Sequence, residues 1–449
     1  MPKFGLLVDY VMFIMCLLIL ISSLYISFKM KFVQLRFFPY LLKLIQRSFK
    51  KNSSVSSSHT ILPYKALFTA MSTTLGIGSI VGPIVAIRWG GPGALVGFLL
   101  TAFFGSAVTY TEVGLCVKYR GQKLNGEIEG GPMQYLKQIF SPFIAKWYAF
   151  FGCIVMTAWS SAQANQLGAI LDSPLLGNYR LSSFVSGTIL TAVILFTLLG
   201  GIKRVSSFSS KLVPMMFTLY VGASSLIILA HLAQLPAVLS LIIQSMFTPY
   251  SLVSGAAIGG VTNAMRWGIF KGVQVTEAGV GTQTIPHSMA QTDDPIAQGM
   301  LAMVSTYTAG LVAFISGLVV LLTDTWQSSE LPLGISMMAA SFQLHFSYLG
   351  VGIIVVSTAL FAFGTILGNS FNGSQCFQYI ASSKSLHFYY LAMAAMIFWG
   401  TISEVELVWS FVDIALLLLV IPHMAALICF AYHRSSELLL PLKKENFSL

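Results

Sequence analysis

The sequence predicts an all-α, polytopic membrane protein with eleven transmembrane helices. Three observations carry that prediction. Of 449 residues, 56% are hydrophobic and 9% charged, whereas soluble domains carry about 25% charged residues. Mean hydropathy is +0.79. The apolar residues also gather in runs of the length, about 20 residues, that crosses a bilayer as a helix. This composition excludes a soluble enzyme, a secreted disulfide scaffold and a disordered chain.

The spans read in order as 5–28, 66–88, 93–117, 143–171, 181–201, 212–234, 250–290, 297–323, 348–371, 386–403 and 405–432. The first is long enough to be retained, and no small-residue cleavage site follows it. The connector 29–65 is basic and Ser-rich. Its first half, around Phe32 to Phe49, mixes apolar and basic residues as an amphipathic surface helix does. The seventh segment is too long and too polar for one regular helix and is expected to be interrupted. The tenth is short. Cys16, Cys116, Cys153, Cys376 and Cys429 lie in or at the ends of apolar runs with no CxxC spacing, the pattern of reduced core cysteines.

Lys and Arg set the orientation. An eleven-helix chain puts twenty of its 25 on one side: eight in 29–65, five in 118–146, Lys203, Arg204 and Lys211, then Lys384, Arg434, Lys443 and Lys444. The other side has Lys3, Arg88 and Arg180. The expectation is a bacterial inner-membrane protein with its N-terminus outside and its C-terminus in the cytoplasm. The net charge of +10 therefore describes topology against anionic lipid and calls for no nucleic acid. No obligate protein partner is evident.

Two segments carry glycine-rich interruptions. The second contains Thr73-Thr74-Leu75-Gly76-Ile77-Gly78-Ser79-Ile80-Val81-Gly82-Pro83, and the seventh contains Thr276-Glu277-Ala278-Gly279-Val280-Gly281-Thr282. Glycine and proline at that density oppose a continuous helix. Gly76 and Gly279 lie about half a chain apart. Segments two to six and seven to eleven make five helices each. Five is odd, so the second set enters the membrane from the opposite side. This is the arithmetic of a ten-helix (5+5) inverted repeat. The expected organisation is an extra N-terminal helix at 1–28, the connector 29–65, repeats at 66–234 and 250–432, and a cytoplasmic tail at 433–449. Glycines also serve close helix packing, but hydroxyls cluster at both interruptions. Freed backbone N–H groups and helix N-termini attract a carboxylate. Freed carbonyls and hydroxyls coordinate Na⁺.

At these residues the chain resembles the alanine/glycine:cation symporter family, sodium- or proton-coupled amino acid carriers. The resemblance covers nearly the whole chain. It rests on TLGIGSIVG (74–82), AIRWGGPGA (86–94), TEVGLCVKYR (111–120), EGGPMQYL (129–136), QAN (163–165), LGGIKRV (199–205), KLVPMM (211–216), AMRWGIFKGVQVTEAGVGT (264–282) and HSMAQTDDPIAQG (287–299). It implies the ten-helix inverted-repeat amino acid transporter core plus one helix. It also implies import of a small neutral amino acid of the alanine or glycine type with Na⁺, with no cofactor beyond the co-transported ion.

Carried over by residue, the substrate site would comprise Thr74, Gly76, Ile77, Gly78 and Ser79, with Gln163 as polar contact, Thr276, Ala278 and Gly279 as the other wall, and Phe363. The cation would sit among Ser72, Leu75 and Thr365. The chain departs from the family's pattern at Ile77 (Thr), Ser79 (Asn), Val275-Thr276 (Ser-Asn) and Gly364-Thr365 (paired hydroxyls). Each change removes or shortens a polar ligand, so proton coupling or a different small amino acid stays open. A passive channel is a further alternative, but no repeated selectivity loop or charged ring appears. No HExxH, GxSxG or intramembrane His/Asp cluster points to an enzyme.

Charge inside the membrane costs about 2.5–3.5 kcal/mol at a helix centre, so each case needs a reason. Glu277 either holds the unwound turn or carries a proton. Glu112, six residues before Lys118, is expected to pair with that basic stretch. Arg266 and Asp413 are candidates to pair with one another. His287 is expected near the cytoplasmic mouth, with no metal role. Trp159, Phe361 and Phe363 read as packing residues, one of which could cap the substrate.

Overall fold

A computed structural model describes residues 2–36, 60–122, 128–198, 201–247, 260–381 and 383–439, with Tyr40, 43–46, Ser48 and Gly126 as isolated positions. Among the described residues the regular structure is helical apart from a two-residue ladder, in which β1 (Gly121–Gln122) pairs antiparallel with β2 (Ile128–Glu129), and a single parallel bridge between Ile61 and Ala290. The helices are α1 (Pro2–Lys29), α2 (Val33–Arg36), α3 (Pro63–Thr74), α4 (Gly78–Gly90), α5 (Ala94–Tyr119), α6 (Pro132–Ile139), α7 (Pro142–Leu171) and α8 (Ser183–Leu198). They continue as α9 (Gly201–Ala230), α10 (Leu235–Phe247), α11 (Gly260–Thr276), α12 (Thr284–Ser288), α13 (Pro295–Leu322), α14 (Ile335–Ile380), α15 (Leu386–Ile402) and α16 (Val405–His433).

Among the described residues, seven helical stretches are long and apolar enough to cross a membrane, counting α3 and α4 as one. Four further apolar helices are shorter: Ile14–Lys29, Ser183–Thr197, Leu235–Phe247 and Leu386–Ile402. Local signals explain several starts. Proline opens α3, α6, α7 and α13, where its missing N–H costs nothing. Asp294 caps α13 by accepting from the N–H groups of Ile296 and Ala297, both at 3.0 Å.

Three features differ from the sequence reading. α10 was not expected. At 13 residues it is about 20 Å long, short of the ≈30 Å hydrocarbon core. The sixth segment begins at Gly201 rather than 212. α14 runs for 46 residues but bends at Ser347, where φ is 54°. The predicted ninth span starts one residue past that bend. Within the surface helix expected over 32–49, residues 37–39, 41, 42, 47 and 49 fall outside the described residues, as does the start of the seventh segment at 250–259. Val33, Gln34 and Leu44 are buried.

The packing is interwoven. α5 lies against α13 and α11, and α7 against α14, α15 and α16. α4 packs on α11, and α8 on α15. α1 packs outside this set, on α5 and α16. Helices from the two halves thus face one another, and the residues of both interruptions are buried.

Candidate functional site

The first interruption is three residues long. Leu75 ends α3 with ψ at 61°, and α4 restarts at Gly78. The freed N–H of Ile77 donates to Gln163 Oε1 at 2.7 Å. Ser79 Oγ donates to the carbonyl of Thr74 at 3.1 Å. Gly76 lies tight against its neighbours. A Cβ there would stand 2.8 Å from Thr365 Oγ1 and 3.1 Å from Gln163 Oε1, so only glycine lets the backbone approach those polar atoms. The Thr365 hydroxyl donates to the carbonyl of Ser72 at 2.9 Å.

The second interruption runs from Glu277 to Gln283. Glu277 has φ of 53°, and Gly279 and Gly281 have φ of 81° and 87°. Unwound backbone inside an apolar bundle must find partners, and side chains from α7, α14 and α16 supply several of them. Tyr148 on α7 donates to the carbonyl of Val280 at 2.7 Å. Asn372 on α14 donates to that of Thr282 at 3.3 Å. Gln283 turns back to donate to the carbonyl of Thr276 at 2.8 Å, and Ser305 on α13 donates to Gln283 Oε1.

His423 on α16 sits 2.8 Å from the Gly279 carbonyl through Nδ1. A carbonyl only accepts, so Nδ1 carries the proton and Nε2 accepts from Tyr135 on α6, at 2.5 Å. Glu112 on α5 is wholly buried. Its carboxylate lies near the N–H groups of Gly279 and Gly281 but makes no full hydrogen bond among the described residues. Glu277 itself accepts from Thr282 and, at 3.3 Å, from Thr73 on α3.

Between the interruptions lies a buried cavity of ≈30 Å³, room for about two water molecules. Of the residues expected in the site, Thr74, Gly76, Gly78, Gln163, Glu277 and Thr365 line it. Others point elsewhere. Ile77 is buried in the core. Thr276 Oγ1 donates back to Gly272 O at 2.9 Å. Ala278 lies against Gly105. Gly279 faces His423 and Met424. Phe363 packs edge-on against Phe208 at 6.2 Å. Ser72 joins Thr365 through its carbonyl, and Leu75 is fully buried.

The cavity also contains polar residues that sequence reasoning missed: Thr73, Lys271, Gln274 and Asn369. Thr73 was legible as a hydroxyl next to the break. Asn369 lies four residues after Thr365, one helical turn away on the same face, and that spacing could have found it. Both amide atoms of Asn369 are buried with no hydrogen-bond partner among the described residues.

Two expected ion pairs are replaced by others. Glu112 does not pair with Lys118, because six residues of helix turn it about 240° away, into the core. Lys118 instead meets Glu437 at 2.5 Å. Asp413 pairs with Lys271 at 3.4 Å, five residues further along α11 than Arg266. Arg266 donates to Asn263 Oδ1 at 2.8 Å. His287 is fully buried, with Nδ1 2.6 Å from Gln298 Nε2.

A family model described as the sodium:alanine symporter family matches residues 5–438. An uncharacterized transporter of Haemophilus influenzae is 33% identical, covering 92% of this chain and 90% of its own. The sodium/alanine symporter AgcS of Methanococcus maripaludis is 32% identical, over 92% of this chain and 91% of its own. The probable sodium/glutamine symporter GlnT of Bacillus subtilis is 29% identical, over 92% and 84%. Among solved structures, a manganese transporter of Eremococcus coleocola (mutant E129Q) aligns with a TM-score of 0.52 at 11% identity, over 82% of this chain and 79% of that one. That likeness is of fold alone.

Proposed function

Because the chain belongs to the sodium:alanine symporter family, a family of transporters and not of enzymes, we propose that it imports a small neutral amino acid with Na⁺ by alternating access. The observation that carries this reading is the pair of facing interruptions, Leu75–Ile77 and Glu277–Gln283, joined across a buried polar cavity by Thr73 and Glu277. The N–H groups of the first interruption and the N-terminus of α4 suit the amino acid's carboxylate. The Ser72 carbonyl and the Thr365 hydroxyl suit the cation. A cavity of ≈30 Å³ holds no amino acid until its walls part, which is what alternating access provides.

We further read the chain as eleven spans, with α1 outside a 5+5 inverted repeat over 66–234 and 250–432. Supporting this, helices at equal places in the two sets pack on one another: α4 on α11, α5 on α13, α7 on α14, α8 on α15. The Lys and Arg asymmetry supports an inner-membrane protein with its N-terminus outside and the tail 433–449 in the cytoplasm.

The test is uptake of radiolabelled small amino acids into proteoliposomes under imposed Na⁺ and pH gradients. Accumulation that collapses when the Na⁺ gradient is removed supports the reading. Proton coupling is the second reading, and one observation favours it: Glu112 is a buried carboxyl with no ion-pair partner among the described residues and with Glu277 close by. Uptake driven by a pH gradient in Na⁺-free buffer would select it. No gradient-dependent accumulation of any small neutral amino acid would sink both.

A further inference from the structure

One wall of the cavity carries a polar cluster that neither interruption uses. Lys271 on α11 is 3% exposed. Its ammonium donates to Gln274 Oε1 at 3.0 Å and to Asp413 Oδ1 at 3.4 Å. Gln274 Nε2 donates to the same Asp413 oxygen. The ammonium also lies 4.8 Å from the centre of the Trp409 ring, within cation–π range. Lys271, Gln274 and Trp409 line the cavity beside Thr73, Gly76 and Gln163, while Asp413 braces them from behind.

A methyl side chain needs no such wall, since apolar residues would receive it without a buried ion pair. Burying the pair is costly even when matched, so the cluster calls for a ligand group that uses it. Its free capacity is for donation. An ammonium has three donors, and Gln274 and Asp413 engage two of them. The Trp409 indole N–H is buried and has no acceptor among the described residues. Lys271 and Asp413 also neutralise one another, which leaves no net positive charge for a carboxylate. The third ammonium N–H and the indole N–H, donors without a hydrogen-bond acceptor among the described residues, suit a neutral oxygen acceptor on this neutral wall.

Building on the amino acid transport reading above, we propose that Lys271, Gln274 and Trp409 form a side-chain subsite, and that the cargo is an amino acid whose side chain bears a neutral oxygen, a carboxamide or a hydroxyl. Asn369, buried in the same cavity with both amide atoms unpartnered among the described residues, is a second polar group awaiting a ligand.

The test is binding of L-alanine, L-serine, L-asparagine, L-glutamine and L-aspartate to the purified protein in Na⁺ by calorimetry, for the wild type, Trp409→Phe and Gln274→Leu. Trp409→Phe keeps an aromatic ring under Lys271 and removes only the donor, so it is the milder change. Size-exclusion profiles establish that each variant is folded. A site built around a hydrogen bond discriminates strongly against ligands that lack the partner. The wild type is therefore expected to bind serine, asparagine or glutamine at least about tenfold more tightly than alanine and aspartate. Each variant should cut the ratio to alanine at least about fivefold. Alanine binding as tightly as every amide and hydroxyl amino acid would overturn the subsite. So would aspartate binding best, or ratios unchanged in both variants. Any of these leaves the transport reading standing, whereas failure to bind any of the five would remove both.

Discussion

The Thr73 hydroxyl donates to the Glu277 carboxylate across 3.3 Å, and this hydrogen bond joins the two interrupted helices directly. Thr73 closes the last turn of α3, and Glu277 opens the unwound stretch after α11 in a left-handed conformation. The Thr282 hydroxyl donates to the same oxygen of Glu277 from the far end of that stretch. One carboxylate therefore ties the second interruption to itself and to the first.

Glu277→Ala leaves Thr282 without its acceptor and opens space in a packed region. The expected loss is about 2–4 kcal/mol. Glu277→Gln keeps an accepting oxygen, and Thr73→Val removes one of the two donors, so each should cost only about 1 kcal/mol. Thermal melting of the detergent-purified protein should rank the alanine variant clearly lowest. If it melts with the wild type, the carboxylate does not hold the turn.

His423 gives a second ranking. His423→Ala deprives the Gly279 carbonyl of its donor and removes a buried ring, with an expected cost of about 2–4 kcal/mol. Tyr135→Phe removes only the hydroxyl that serves His423 Nε2, and should cost about 1 kcal/mol. Gly279→Ala meets two obstacles, a φ of 81° and Met424 Sδ at 2.4 Å from the new Cβ. Adding Met424→Ala relieves only the contact. The double variant should keep roughly the 1–2 kcal/mol cost of left-handed backbone. Full recovery of the melting temperature would show that strain plays no part.

The positions of both interruptions were legible because glycine density and a lone intramembrane carboxylate are local signals. The partners of Glu112 and Asp413 were not. Each depends on which helix faces which, and the sequence around Glu112 contains nothing about Gly279 and Gly281, nearly 170 residues away. α10 was missed because its 13 residues are apolar but shorter than a span, and segment length was the criterion. Ile77 and Thr276 illustrate a different limit. They sit in the right motif, yet one side chain enters the core and the other bonds its own helix at Gly272. Motif membership fixes the backbone position and not where the side chain points.

Asn369 predicts an unusual trade. A buried amide with no partner costs about 1–3 kcal/mol, so Asn369→Leu, similar in volume, should raise the melting temperature of the ligand-free protein. The same change should reduce the further stabilisation that Na⁺ and amino acid confer on the wild type. A melting series with and without both ligands checks this. Equal ligand-induced shifts in the two proteins would mean that Asn369 serves neither ligand.

The last prediction concerns the tail that follows α16. Glu437 accepts from Lys118 at 2.5 Å, from Tyr119 at 2.8 Å and from Arg434. Beside it, the Tyr110 hydroxyl donates to the carbonyl of Leu438 at 2.6 Å, and the Leu438 side chain packs over Gly114. Partial burial pushes the Glu437 carboxyl upward, but the donors from Lys118, Arg434 and Tyr119 outweigh it and bring it from 4.5 down to about 2. A carboxyl held low in the docked tail contributes fully above about 4.5, and its contribution fades as pH falls toward 2. The tail should therefore stay docked from neutral pH to about 5 and loosen progressively between 4.5 and 2. In Glu437→Gln that pH dependence should disappear, because the amide cannot titrate. A fluorophore on Leu439→Cys in a cysteine-free background reports docking through its mobility. Release at the same acidic pH in both proteins would assign it to some other group.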